Sequence, residues 1–169
     1  MNHVISVQVE NKPGVLARVA SMFAGRGFNI HSLAVGPTAD PTLSQMTVVV
    51  DAPDLEQIIK QLYKLVHTVK VTELSAGKGL EREIMLLRVN ADASKRGEIM
   101  ESATIFKAKT VDVGVATLTF ELAGEPDALA DFLELMRPYG VVELVKSGRI
   151  AMTRDTKTKD GNKARLRSA

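Results

Sequence analysis

The chain has no cysteine, no tryptophan and few aromatic residues, five Phe and two Tyr. Without cysteine there can be no disulfide staple, no thiolate metal site and no cysteine nucleophile. The shortage of aromatics argues against an RNA-recognition module, which stacks bases on aromatic side chains of its central strands. Phe23, Tyr63, Phe106 and Phe132 instead fall on or beside helical apolar stripes and read as core. No apolar run approaches the length of a membrane span. Met1 leads almost directly into the apolar alternation at Val4, with no room for a charged region followed by a hydrophobic one, so a soluble, cytoplasmic protein is expected. There is no G-x-S-x-G, no phosphate-binding loop and no H-E-x-x-H. His3, His31 and His67 fall on three different elements without ligand spacing, and Asp51, Asp54, Glu56, Glu81 and Glu83 sit at element ends where solvated charge is ordinary. Gly25-x-Gly27 follows a helix instead of opening one, so it is no dinucleotide loop. No catalytic residue and no metal ligand is assigned.

An apolar content of 45% is enough for a core, as one domain or as two small ones. The formal charge of +2 is unevenly spread. Residues 154–169 hold six basic side chains, Arg154, Lys157, Lys159, Lys163, Arg165 and Arg167, against Asp155 and Asp160, which leaves −2 for residues 1–153. The body is mildly acidic, so an extended nucleic-acid surface is not expected.

Val4 to Val9 alternates with Ser6 and Gln8, the pattern of a strand with one face buried. Val15, Leu16, Val19, Met22 and Phe23 follow helical spacing, ended by Gly25 and Gly27. Phe28 to Val35 and Met46 to Val50 read as strands joined by a long hairpin loop, Gly36 to Ser44; a helical stripe from Leu55 to Val66 and a strand from Val69 to Leu74 complete a β-α-β-β-α-β order. Ser75 to Gly79 reads as a linker, after which the order recurs: strand Ile84 to Val89, helix Ile99 to Phe106, strands Thr110 to Val113 and Thr117 to Leu122, helix Leu129 to Met136 and strand Val141 to Val145. The expectation is an α+β chain of two ferredoxin-like βαββαβ domains in tandem, over residues 1–76 and 80–153, with a basic, disordered tail at 154–169.

The stretch Val9 to Pro41 is the best place for chemistry. Asn11, Pro13 and Gly14 precede the first helix, where bare backbone N–H groups and the positive dipole end favour a carboxylate. Pro13 suits the first helical position, and Gly14, lacking Cβ, allows close approach. The residues alone support ordinary readings equally well: Asn11 as a helix cap, Gly14 as a turn residue and Asn29 as part of a turn after Gly27. The second half runs from its first strand into Asn90 to Arg96 with no Asn-x-Pro-Gly, so only one such site is expected.

Val9 to Ile30 resembles the ACT domain, a small ferredoxin-like module that binds amino acids and regulates metabolic enzymes. More narrowly, V-E-N-K-P-G-V-L-A-R-V, R-G-F-N-I-H-S-L-A-V-G-P-T, D-P-T-L-S-Q-M-T and E-R-E-I-M-L-L-R-V resemble the small regulatory subunits of acetolactate synthase. The resemblance covers nearly all of residues 1–153. It implies a non-catalytic subunit that stimulates the catalytic subunit and confers valine feedback inhibition in branched-chain amino acid synthesis. Thiamine diphosphate, Mg²⁺ and FAD then belong to the separate catalytic chain. It also implies a homodimer through ACT domains, with L-valine held between Asn11, Gly14, Val15 and Leu16 of one chain and Asn29 and Ile30 of the other. Gln45 departs from the family's usual arginine before Met-Thr. The runner-up is a stand-alone amino-acid-binding ACT module acting on another enzyme or a transcription factor, and a third reading is a small enzyme of this fold. Neither nucleic acid nor membrane is expected as a partner.

The tail lacks apolar periodicity, so it should add little to the core. Deletion of residues 156–169 is expected to leave the thermal midpoint unchanged within about 2 °C, since one kcal/mol moves a domain of this size by roughly that much or more; a larger drop in a melting scan would show that the tail docks.

Overall fold

The computed structural model describes residues 2–74 and 79–155; the expected tail beyond residue 155 and most of the expected linker lie outside the described residues. The first half comprises β1 (Asn2–Glu10), α1 (Val15–Ala24), β2 (Asn29–Pro37), β3 (Leu43–Asp51), α2 (Leu55–Leu62) and β4 (Thr68–Glu73). Its four strands lie in the order β2-β3-β1-β4, antiparallel throughout. Alternation along β1 sends Ile5, Val7 and Val9 to one face, where they meet Met46, Val48 and Val50 of β3. The helical spacing of Val19 and Phe23 on α1, and of Ile58 and Leu62 on α2, presents both helices to that same face.

The second half repeats the arrangement with β5 (Gly79–Asn90), α3 (Arg96–Ile105), β6 (Lys109–Val113), β7 (Thr117–Gly124), α4 (Pro126–Met136) and β8 (Val141–Lys146), in the order β6-β7-β5-β8. Its own core gathers Met85, Leu87 and Val89 with Ile99, Leu118 and Leu129. Phe120 and Phe132 meet edge to face in it, ring centres 5.9 Å apart and planes at 89°, a favoured aromatic geometry.

Several boundaries differ from expectation. The loop expected over Gly36 to Ser44 is shorter, because β2 runs on to Pro37 and β3 begins at Leu43. The remaining turn is held by the Thr38 N–H donating to the Leu43 carbonyl (2.9 Å) and by the Asp40 carboxylate, which accepts from the Thr42 N–H (2.9 Å). Helix α2 ends at Leu62: Leu65 still packs on the core, but Val66 is 85% exposed. Tyr63 is no core residue, being 53% exposed, with its hydroxyl bridging the Val71 N–H and carbonyl.

The larger difference is a ninth strand. β5 begins at Gly79, inside the expected linker, and its first residues pair with β9 (Ile150–Thr153). Strand β9 continues the line of β8 past a bulge. Met85 lies opposite Lys146 and Arg82 opposite Ile150, so Glu83 and Ile84 face three residues, Ser147 to Arg149. This ribbon lies on the helix-free face of the first sheet, where Ala151 packs against the small cluster of Val4, Val49 and Leu74.

Phe132 is fully buried at the centre of the second core. Phe132→Ala is expected to destabilise the chain by about 3–5 kcal/mol, the usual range for such a truncation, in a denaturant titration. A loss below about 1 kcal/mol would mean the second half is not packed as described.

Candidate effector site

Gly14 is the N-cap of α1, with φ of 82°, a left-handed conformation that side-chain-bearing residues rarely adopt. Nothing lies within 4 Å of where its Cβ would stand, so the space in front of the helix is open. Because Gly14 turns the chain before the helix begins at Val15, Pro13 precedes the cap and does not occupy the first helical position as expected. Nor is Asn11 a helix cap. Its Nδ2 donates to the Pro41 carbonyl (3.0 Å) and its N–H to the Thr42 carbonyl (2.7 Å), which ties the loop after β1 to the β2–β3 turn. Asn11 Oδ1 accepts no hydrogen bond from a described residue and is left as a free acceptor.

At the start of α1 the Val15 N–H reaches the Lys12 carbonyl only at 3.4 Å, and the Arg18 N–H is satisfied by the Gly14 carbonyl at 3.1 Å. The N–H groups of Gly14, Leu16 and Ala17 have no acceptor among the described residues. Three donors are therefore left bare at the positive end of the helix dipole. The amide of Ala17 is the member that sequence reasoning missed; counting back from the first possible i to i−4 bond would have found it. Val15 is buried against the core, while Leu16 is 40% exposed beside the donors. Behind this turn a cavity of about 130 Å³ opens between Val15, Val19, Leu65 and Val66.

Glu10 closes the preceding strand with its carboxylate 2.6 Å from Lys12 Nζ and 2.9 Å from His67 Nδ1. The hydrogen bond from Lys12, and after it that from His67, holds the Glu10 carboxyl below the usual glutamate range.

Asn29 and Ile30 lie elsewhere. Asn29 stands opposite Asp51, which itself pairs with Asn2 at the start of β1, whereas Asn11 follows the end of β1. At the usual rise per strand residue Asn11 and Asn29 are about 25–30 Å apart within one chain. Asn29 is exposed, and Ile30 packs partly on the first core. Strand β2 is an edge of its sheet and is bulged between Ile30 and Ser32. One chain thus brings together Asn11, Gly14, Val15 and Leu16, and leaves Asn29 and Ile30 apart from them.

Ahead of the corresponding helix in the second half the N–H of the N-cap residue Lys95 is met from within, while those of Gly97 and Glu98 have no acceptor among the described residues, as at Leu16 and Ala17. The Asp92 carboxylate accepts from the Ser94 hydroxyl (2.5 Å) and from the N–H groups of Ser94 (2.9 Å) and Lys95 (3.1 Å), and these bonds, that of the hydroxyl foremost, hold its pKa down. Gln45 lies on the other face of the first sheet, where its Nε2 donates to Ser6 Oγ (2.5 Å). Among the described residues no group of three or more histidine or acidic side chains clusters as metal ligands would, and no helix is long and apolar enough to cross a membrane.

Residues 5–70 match the family model of the AHAS small subunit-like ACT domain, and residues 82–155 match that of the small subunit of acetolactate synthase. A probable acetolactate synthase small subunit of Archaeoglobus fulgidus is 51% identical over 159 residues, covering 93% of this chain and 99% of that relative. The acetolactate synthase small subunit of Mycolicibacterium smegmatis is 48% identical over 154 residues, covering 90% of this chain and 91% of the relative. The crystal structure of the acetolactate synthase small subunit from Thermotoga maritima superposes with a TM-score of 0.83 at 38% identity, covering 92% of this chain and 99% of that one.

A carboxyl whose pKa is lower in the folded than in the unfolded chain adds stability above its unfolded pKa, and that stability is lost as the pH falls through the folded value. Glu10 is such a group. Between about pH 6 and about pH 3.5, the wild-type chain should therefore lose more stability in denaturant titrations than Glu10→Gln does; equal losses would show that Lys12 and His67 do not hold the carboxylate.

Proposed function

The chain belongs to the family of acetolactate synthase small subunits, with an ACT domain in its first half, and we propose that it stimulates a catalytic chain and makes that chain answer to valine. Thiamine diphosphate, Mg²⁺ and FAD would then reside on the catalytic chain, in the cytoplasm. The observation that carries the effector reading is that the Gly14, Leu16 and Ala17 N–H groups have no acceptor among the described residues at a helix start three residues after Asn11, whose Oδ1 accepts no hydrogen bond from them. An α-carboxylate fits the donors, an ammonium fits the amide oxygen, and Val15 and Leu16 offer apolar contact to an isopropyl group.

Two chains would complete the site. Antiparallel pairing of β2 with the same strand of a second copy would set the start of one β2 against the end of the other. The end of β2 adjoins the turn to which Asn11 is tied. Such a dimer therefore brings Asn29 and Ile30 of one copy to the donors of the other, which supports a site shared across a homodimer. Ligand binding would then tighten the dimer, and dimerisation would tighten ligand binding by the same factor.

Gly14→Asp tests this reading, since aspartate tolerates the left-handed conformation better than most residues and puts a carboxylate where the ligand's own would sit. Acetolactate formation by the reconstituted enzyme should lose its response to valine, a coupling of about 1–3 kcal/mol, and keep its stimulation. Asn29→Ala should weaken valine in the same direction but less. A folded Gly14→Asp subunit that binds valine with unchanged affinity in calorimetry would refute the site.

A further inference from the structure

We infer that the ribbon of β9 and the start of β5 carries effector occupancy from β2 to the second half, with Ser32, Thr47 and Gly148 as the positioning residues; this rests on the effector reading above. The ribbon is attached to the first sheet through backbone groups of β9 and of Arg149, the residue before it. The Arg149 N–H donates to Ser32 Oγ on β2 (2.7 Å), and the Ala151 N–H, two residues on and so on the same edge, donates to Thr47 Oγ1 on β3 (3.2 Å). Gly148 lies against β2 with φ of 82°, and a Cβ there would stand 2.9 Å from the Leu33 carbonyl oxygen. Only glycine lets the backbones meet so closely.

The other side of the ribbon belongs to the second half. The Arg149 guanidinium reaches Glu81 Oε2 at 2.9 Å, with the two side chains only 28% and 22% exposed, and so ties the start of β9 to β5. From there β5 runs without interruption into the second core at Met85, Leu87 and Val89. On β2, Ser32 is separated from Ile30 by one bulged residue, His31, at the point where the pairing with β3 changes register. A ligand that draws on Asn29 and Ile30 acts on the strand segment next to Ser32, and a shift of Ser32 moves the Arg149 amide, hence β9 and β5. This is a contiguous chain of hydrogen bonds and backbone between the effector edge and the second core.

The test separates binding from its consequence. The double variant Ser32→Ala, Thr47→Val is made in the full chain, and valine affinity of the subunit is measured by calorimetry alongside stimulation and valine inhibition of the reconstituted enzyme. Affinity is expected to stay within about threefold of wild type while the inhibitory valine concentration rises about tenfold or more, within the usual range of allosteric coupling. Gly148→Ala should show the same split, and Ser32→Ala alone replaces the double variant if that does not fold. A ribbon that only glues the halves together would lower affinity, stimulation and thermal midpoint in step, without a split, and this result overturns the inference. Variants inhibited at the wild-type valine concentration also overturn it, leaving the effector reading intact. A wild-type chain with no valine response overturns the effector reading first and this inference with it.

Discussion

The structure depends on β5, a single strand that belongs to two places. Its last residues are the centre of the second sheet, flanked by β7 and β8, and its first residues form the ribbon with β9 that lies on the first sheet. Two separate cores are joined through it, with a small cluster around Val4, Val49, Leu74 and Ala151 between them. Where β5 passes from one role to the other, the carboxylate of Glu83 is 8% exposed and lies 3.5 Å from Lys146 Nζ. A buried carboxylate is costly without a partner, so this pair restricts how β8 aligns on β5. From Met85 to Val89 the strand has neighbours on both sides, β7 and β8, while Gly79 to Arg82 pair with β9 alone.

Two copies of one topology differ by a few residues at a helix start. In the first half a left-handed glycine and a loop tied back by Asn11 leave three backbone donors bare. In the second half Asp92 places its carboxylate on the N–H groups of Ser94 and Lys95, just ahead of α3, and Arg96 Nη2 bonds the Ala91, Gly114 and Val115 carbonyls nearby. The two helix starts thus differ at the N-cap donor, which has no acceptor among the described residues at Gly14 and is met by a carboxylate at Lys95.

The separation of Asn11 from Asn29 follows from the same topology. In this strand order the helix α1 carries the chain from one end of the sheet back to the other, so its two ends cannot share a ligand. An edge strand such as β2, whose pairing groups face outward, is the natural place for a second chain to join. This same edge strand is the one touched by Gly148 and Arg149, which lead into the second half.

Much of this was legible in the sequence. Val4 to Val9, the stripe from Val15 to Phe23 and their repetition after residue 80 announced strands, helices and their order, because side-chain direction recurs every two residues in a strand and every 3.6 in a helix. Chain order alone then implied the sheet order, since few ways of connecting such elements are unstrained. The sequence likewise announced the helix start before Val15, through a glycine ahead of an apolar stripe, and its motifs announced the family. It did not place Pro13 outside the helix, since only the φ of Gly14 decides where the first turn begins. It did not show β9, whose Ile150 and Met152 are 59% and 64% exposed and so leave no burial alternation to read. What makes Ile150–Thr153 a strand is Gly79 to Arg82, far away in sequence, and what fixes the ribbon is the hydroxyls of Ser32 and Thr47. Periodicity records which face of an element is buried, a local property of the chain. Which backbone groups find partners at long range is settled only when the sheets close.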